Sequence, residues 1–253
     1  MWYTTAGSIG LGLWRGITDM NVCITGANRG LGLALTRVFL EQGHQVFATY
    51  RQKSNALLDL EQQSNQLIPI PCDVTDEAQI HSLQQMLSNQ AGALDILVHN
   101  AALLLERDSP DIEDLDFSVY LPTLHTNAVA PLMVTKHLLP LLRHGTGKTI
   151  IAISSEAGSI GSCWRDREYS YCMSKAALNM GMRILHNRLA PEGFRLRLIH
   201  PGWVQTDMGG SNAELTPMAA AQDVYERIME TCGAPSVSPE ELYIDWKGQF
   251  LQW

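Results

Sequence analysis

Seven short apolar runs punctuate the chain: "NVCIT" (21–25), "QVFATY" (45–50), "LIPIPC" (67–72), "LDILVH" (94–99), "TIIAIS" (149–154), "RLRLIH" (195–200) and "ELYID" (241–245). Most do not alternate between polar and apolar positions, as expected of strands buried on both faces. Between them, apolar residues recur with helical spacing over about 31–42, 76–91, 114–143 and 169–190. Repeated β-α-β units imply an α/β protein whose mainly parallel, seven-stranded sheet carries helices on both faces. Right-handed crossovers make a Rossmann-type doubly wound fold the expectation. No linker or repeat divides residues 20–253, which are expected to form one domain. Residues 1–19 are mildly apolar but broken by four glycines and Arg15. They make a poor signal peptide and are too interrupted to span a bilayer. Met20 opens the first strand, so the preceding residues are expected to be an extension from an upstream start.

Composition narrows the function classes. The chain has 253 residues, 45% hydrophobic and 17% charged, ordinary for a globular protein. A formal net charge of −8 argues against a broad nucleic-acid-binding face. Five scattered cysteines with no CxxC pair point to reduced thiols and a cytoplasmic setting. There is no GxSxG nucleophile elbow. His137 and His144 are seven apart, with no HExxH motif or carboxylate at ligand spacing, so no metal site is expected.

The segment "CITGANRGLGLAL" (23–35) follows the first strand and opens the first helix. Its spacing is TGxxxGxG. Gly26, Gly30 and Gly32 permit a tight turn and close approach of backbone to a pyrophosphate, and the helix N-terminus supplies free N–H groups. Asn28, Arg29 and Leu31 belong to the same expected cradle. The second strand ends "ATYRQK", with Arg51 where a ribose-binding acid would select NAD. A guanidinium grips a 2′-phosphate with paired hydrogen bonds, and Arg29 lies within reach of the same group. NADP(H) is therefore expected in preference to NAD(H).

In "YSYCMSK" (169–175), Tyr171 and Lys175 are four apart and share a helix face, whereas Tyr169 does not. A phenol with its ordinary pKa near 10 is protonated at neutral pH and ready to donate to a developing alkoxide. Acting as a base, it needs a lower pKa, and a nearby ammonium shifts an acid downward by about 1–3 units.

The glycine loop, "SSEAG" after the fifth strand, "YCMSK" on the next helix and "HPGWVQTD" after the sixth strand occur in one order. In this the chain resembles the short-chain dehydrogenase/reductase family, from roughly Met20 to Trp253. "HPGWVQTDMGG" and the terminal "YIDWKGQFLQW" are most similar to its C-factor and sniffer-type carbonyl reductases. The resemblance implies that Tyr171 is the catalytic acid/base and that Lys175 binds the nicotinamide ribose and eases proton loss. Ser155 would hold the substrate oxygen, and Asn127 would anchor a water linking Lys175 to solvent. Asp73 with Val74 would meet the adenine. Asn100 and Ala101 of "HNAA" would line the adenine and ribose side. Pro201 and Gly202 would flank the nicotinamide, and Val204 and Thr206 would bind its carboxamide. Carbonyl reduction by NADP(H), and a homodimer formed through the long helices, are implied too.

Three features depart from the family pattern. Ala102 replaces a glycine beside the cofactor. The gap from Ser155 to Tyr171 is long, and its "GSCWRDREYS" is expected to rim the active site. "SNAELTPMAAAQ" (211–222) is expected to form a small substrate lid, leaving room for bulky carbonyl compounds. The reading of another class is a dinucleotide-binding regulatory protein that keeps the fold with little turnover.

Overall fold

The computed structural model describes residues 19–106 and 111–253, so the expected extension (1–19) lies outside the described residues apart from Asp19. Strands β1 (Asn21–Ile24), β2 (Gln45–Tyr50), β3 (Leu67–Pro71), β4 (Ile96–His99), β5 (Thr149–Ile153), β6 (Arg195–His200) and β7 (Tyr243–Asp245) follow the seven apolar runs. They form one sheet in the order β3-β2-β1-β4-β5-β6-β7, and every neighbouring pair is parallel. Pro69 and Pro71 fall on the edge strand β3, where a missing N–H costs least.

The helices are α1 (Gly30–Glu41), α2 (Asn55–Gln63), α3 (Glu77–Gln90), α4 (Tyr120–Leu124), α5 (Ala130–His144), α6 (Tyr169–Leu189) and α7 (Pro217–Gly233). The sheet separates two cores, and alternate strand residues serve each. Val22, Val46, Ile96 and Ile151 face α1, α2 and α7. Cys23, Phe47, Leu97 and Ile150 face α3, α5 and α6. Both faces being covered, the strands carry apolar residues at nearly every position. All five cysteines are unpaired, and Cys23, Cys72 and Cys232 are buried.

Three expectations change. The periodicity over 114–143 is not one helix: α4 passes through a π-type turn (His125–Val129) into α5. Helix α2, opened by a Ser54 cap that accepts from Leu57 N, is additional. The stretch taken as a lid ends early, because Pro217 begins α7, which Thr216 caps and which packs on α1. Its Ala220, Ala221, Val224 and Ile228 are core residues. Apolar burial worth roughly 1.5–3 kcal/mol for each large side chain holds that segment to the sheet. Among the described residues, no helix is long and apolar enough to cross a membrane.

Candidate active site

Strand order reverses between β1 and β4, and a cleft of about 2010 Å³ opens at the C-terminal ends of the strands. Gly26, Asn28, Arg29, Gly30, Leu31, Gly32, Arg51, Asp73, Val74, Asn100, Ala101, Ser155, Tyr171, Lys175, Pro201, Gly202, Val204 and Thr206 all line it. Asn127 does not: it is buried behind the wall.

The glycine loop is held from β4. Thr25 Oγ1 accepts from the backbone N–H groups of Asn100 (3.0 Å) and Ala101 (3.1 Å). Asn100 Nδ2 donates to the carbonyls of Thr25 (2.9 Å) and Gly26 (3.0 Å). Gly26 has φ +66°, and a Cβ there would stand 2.9 Å from Ala101 Cα. At Gly32 a Cβ would stand 2.3 Å from the Gly26 carbonyl oxygen, so only glycine lets the helix start so close to the loop. No side chain caps the N-terminus of α1, and its first turn holds no acid. Free N–H groups and a positive helix end therefore face the cleft, a donor set that fits a diphosphate.

Beside this cradle, Asn28 Nδ2 donates to Gln52 O (3.1 Å), and Ser54 Oγ donates to Asn28 O (2.5 Å). Arg51 is exposed at the end of β2, while Lys53 pairs with Glu61. Arg29, expected near a 2′-phosphate, instead donates to Asp207 (2.5 Å) across the cleft. Asp73 accepts from Thr75 N (2.9 Å) and Thr75 Oγ1 (2.7 Å), and Asp76, not Asp73, caps α3.

The other end of the cleft is built from β5 and α6. Lys175 is buried, donates to the Ile153 carbonyl (2.8 Å), and lies 5.6 Å from the centre of the Tyr171 ring. Burial lowers its ammonium to about 8. Burial also pushes the Tyr171 phenol well above its ordinary value, with the Ser155 hydroxyl beside it pulling the other way. The protein's own groups thus favour the protonated phenol of Tyr171.

Ser155 follows β5 and opens a short turn (Glu156–Gly158) laid against α6. Ser154 Oγ donates to Asn179 Oδ1 (2.6 Å), and Asn179 Nδ2 donates to Gly158 O (3.2 Å). A Cβ on Gly158 would stand 2.9 Å from the Lys175 carbonyl carbon, so this glycine sets how closely Ser155 approaches the helix. From the other side, the Tyr243 hydroxyl donates to the Ser155 carbonyl.

Helix α6 is capped from a distance. Glu106 accepts from the N–H groups of Tyr169 (3.0 Å) and Ser170 (2.8 Å), two donors at the helix end that carry no intrahelical bond. Asn127 sits on the π-type turn. Its Oδ1 accepts from Leu103 N (2.7 Å), and its Nδ2 donates to Leu103 O (2.8 Å) and Ser174 Oγ (2.9 Å). It ties the loop after β4 to α6. The widened turn presents one amide to both, a use typical of such bulges.

Glu156, next to Ser155, also lines the cleft. Burial pushes its carboxyl up, but hydrogen bonds from Ser155 and Arg165 more than offset this and hold it below the usual carboxylate range. His200 is lowered by burial and stacks edge-on against Trp246, 5.5 Å between ring centres. Among the described residues, no three His, Cys, Asp or Glu side chains group so as to hold a metal ion.

The family model for short chain dehydrogenases matches residues 20–216. The chain belongs to that family. C-signal of Myxococcus xanthus is 35% identical over 162 residues, 64% of this chain and 94% of that protein. The 1-hydroxy-2-glutathionyl-2-methyl-3-butene dehydrogenase of Rhodococcus sp. (strain AD45) is 29% identical over 238 residues, 92% of this chain and 99% of that one. The carbonyl reductase Sniffer of D. melanogaster matches with a TM-score of 0.82 and 29% identity, over 94% of this chain and 100% of its own. The NADPH-bound carbonyl reductase from chicken fatty liver matches with a TM-score of 0.83, 29% identity and the same coverage.

Several residues that shape the site of this short-chain dehydrogenase escaped the sequence reading. Ser54 was discoverable, as a serine three positions before Leu57 at a helix start. Glu156 lay inside a motif read only for its serine. Glu106 and Asp207 act 63 and 178 residues away from their partners, a pairing without local signal.

Lys175 gives a titration with a defined sign. Its folded pKa, about 8, lies below the ordinary 10.5. The cost of burying the ammonium is complete below pH 8 and lifts as pH rises toward 10.5. The stability of Lys175→Met relative to the wild type should therefore fall by on the order of 2 kcal/mol between pH 7.5 and 10, read by urea denaturation.

Proposed function

We propose that this protein is an NADP(H)-dependent carbonyl reductase that converts an aldehyde or ketone to an alcohol. The observation that carries the reading is the Tyr171 phenol, kept protonated by burial, beside the Ser155 hydroxyl and one helical turn from Lys175. All three line one cleft with the diphosphate-type cradle. A bound nicotinamide supplies the hydride. Ser155 orients the carbonyl oxygen and stabilises its growing charge. Tyr171 delivers the proton to that oxygen. The Lys175 ammonium then stabilises the tyrosinate left behind until a proton from solvent restores the phenol. Asn127 holds the loop after β4 against α6 and keeps Ser174, next to Lys175, in place.

Cofactor preference is argued from the end of β2. Arg51 is exposed there, and no acid competes for a 2′-phosphate. Relatives point the same way, since the chicken liver carbonyl reductase carries NADPH. Asp73, Val74, Asn100 and Ala101 would line the adenosine side, with Pro201, Gly202, Val204 and Thr206 around the nicotinamide.

The test is turnover of a panel of aldehydes, ketones and quinones with NADPH. Tyr171→Phe is expected to lower kcat by about 10²–10⁴-fold while leaving NADPH affinity within about threefold. Tight NADPH binding with no turnover of any carbonyl would instead support the regulatory reading. Arg51→Ala should weaken NADPH binding by about tenfold and leave NADH binding nearly unchanged, because only NADPH carries the phosphate.

We also propose a homodimer. Met173, Met180 and Ile184 are exposed along α6, and Leu121, Val129 and Leu132 are exposed on the adjoining α4–α5 stretch. A contiguous apolar stripe of this kind suits a self-complementary two-fold contact. Light scattering should give twice the 28.0 kDa chain mass. A peak at the chain mass would contradict it.

A further inference from the structure

The carboxylate of Glu156 is pinned at the reaction end of the cleft. Its Oε2 accepts from Ser155 Oγ (2.6 Å) and Ala157 N (2.5 Å), and its Oε1 accepts from Arg165 Nη2 (2.6 Å). Arg165 is shared, because it pairs with Glu168 as well. One guanidinium thus serves two carboxylates, and the trio keeps a net negative charge. Lys175 keeps its positive charge at the Ile153 carbonyl and Arg167 also lines the cleft, but it is the Glu156 carboxylate that is hydrogen-bonded to Ser155.

We propose that Glu156 is a specificity-determining residue: it rejects carbonyl compounds that carry a carboxylate beside the carbonyl group, so the protein takes neutral aldehydes, ketones and diketones in preference to 2-oxo acids. The inference rests on the carbonyl-reductase reading and on Ser155 as the group that meets the substrate oxygen. When the single Ser155 proton turns from Glu156 to a substrate oxygen, that oxygen lies no further than about 5.5 Å from Glu156 Oε2. In a 2-oxo acid the carboxylate sits on the carbonyl carbon itself. The two anions then stand no further than about 9 Å apart in a partly dehydrated cleft, where like charges repel far more than in water. Selection by a built-in repulsion is a common way to favour one ligand over a near-isostere.

The same geometry makes Arg165 act in the opposite sense. It draws part of the Glu156 field to itself, so its removal sharpens the rejection while removal of the Glu156 charge relaxes it. A residue that merely supports the loop would shift both variants in one direction.

The experiment compares benzoylformate with its methyl ester, which share a skeleton and differ in charge, as kcat/KM with NADPH. The wild type is expected to favour the ester by about 100-fold or more, because juxtaposed like charges are strongly disfavoured. Glu156→Gln keeps an acceptor for Ser155, and should narrow that ratio by about tenfold or more. Arg165→Gln should widen it. A wild-type ratio near one, an unmoved ratio in Glu156→Gln, or the same direction of change in both variants would overturn the proposal.

A second readout needs no turnover: benzoate and benzamide binding to the NADPH-loaded protein, followed by tryptophan fluorescence. Glu156→Gln should tighten benzoate relative to benzamide by about fivefold or more. If that gap moves while no carbonyl is reduced, the reductase reading fails and the charge filter stands. If the ester is reduced while neither gap moves, the filter fails and the reductase reading stands.

Discussion

A buried ammonium at the end of a central strand fixes the rest of the site. Lys175 sits 3% exposed, and its ammonium donates to the Ile153 carbonyl. Desolvating that cation costs free energy, visible in its lowered pKa. The cost is offset only if α6 packs at one height and one rotation against β5. Ser154, Asn179 and Gly158 lock the same seam from the strand side, and Asn127 and Glu106 lock it from the loops. With α6 so constrained, Tyr171 has one direction to face, into the cleft. Ser155, bonded from below by Tyr243, has one place to stand.

The opposite end of the cleft obeys a different constraint, close backbone approach. Thr25 and Asn100 pull the glycine loop onto β4, and Gly26 and Gly32 remove the atoms that would collide there. That leaves a helix end with no cap of its own, chemically an anion site. Proton chemistry at β5 and phosphate binding at β1 are joined by the reversal of strand order between β1 and β4. The fold's topology, more than any single residue, sets the distance between them.

Most of the architecture was legible because the strands are buried on both faces. Such strands need continuous apolar runs, and β2 and β6 match theirs residue for residue. Helix α6 was equally plain. Helix α7 was hidden because its alanine-rich start follows a loop and was assigned to a lid, yet those alanines are the residues that let it lie close on α1. The break in the long helix before α5 was invisible because a π-type turn changes register without changing composition. At the site, motif order brought forward residues that share one cleft, Asn127 excepted. Partnerships made across the chain were not legible. Arg29 shows why: its charge was read correctly, but its nearest anion, Asp207, is 178 residues away.

The central claim is that the Tyr171 and Ser155 hydroxyls converge on one substrate oxygen above the nicotinamide. A crystal structure of the protein with NADPH and an aromatic ketone tests it most directly. The account predicts the ketone oxygen within about 3 Å of both hydroxyls, with the nicotinamide between Gly202 and Tyr171. A ketone oxygen held elsewhere, or a nicotinamide outside the wall formed by β5 and α6, would contradict it.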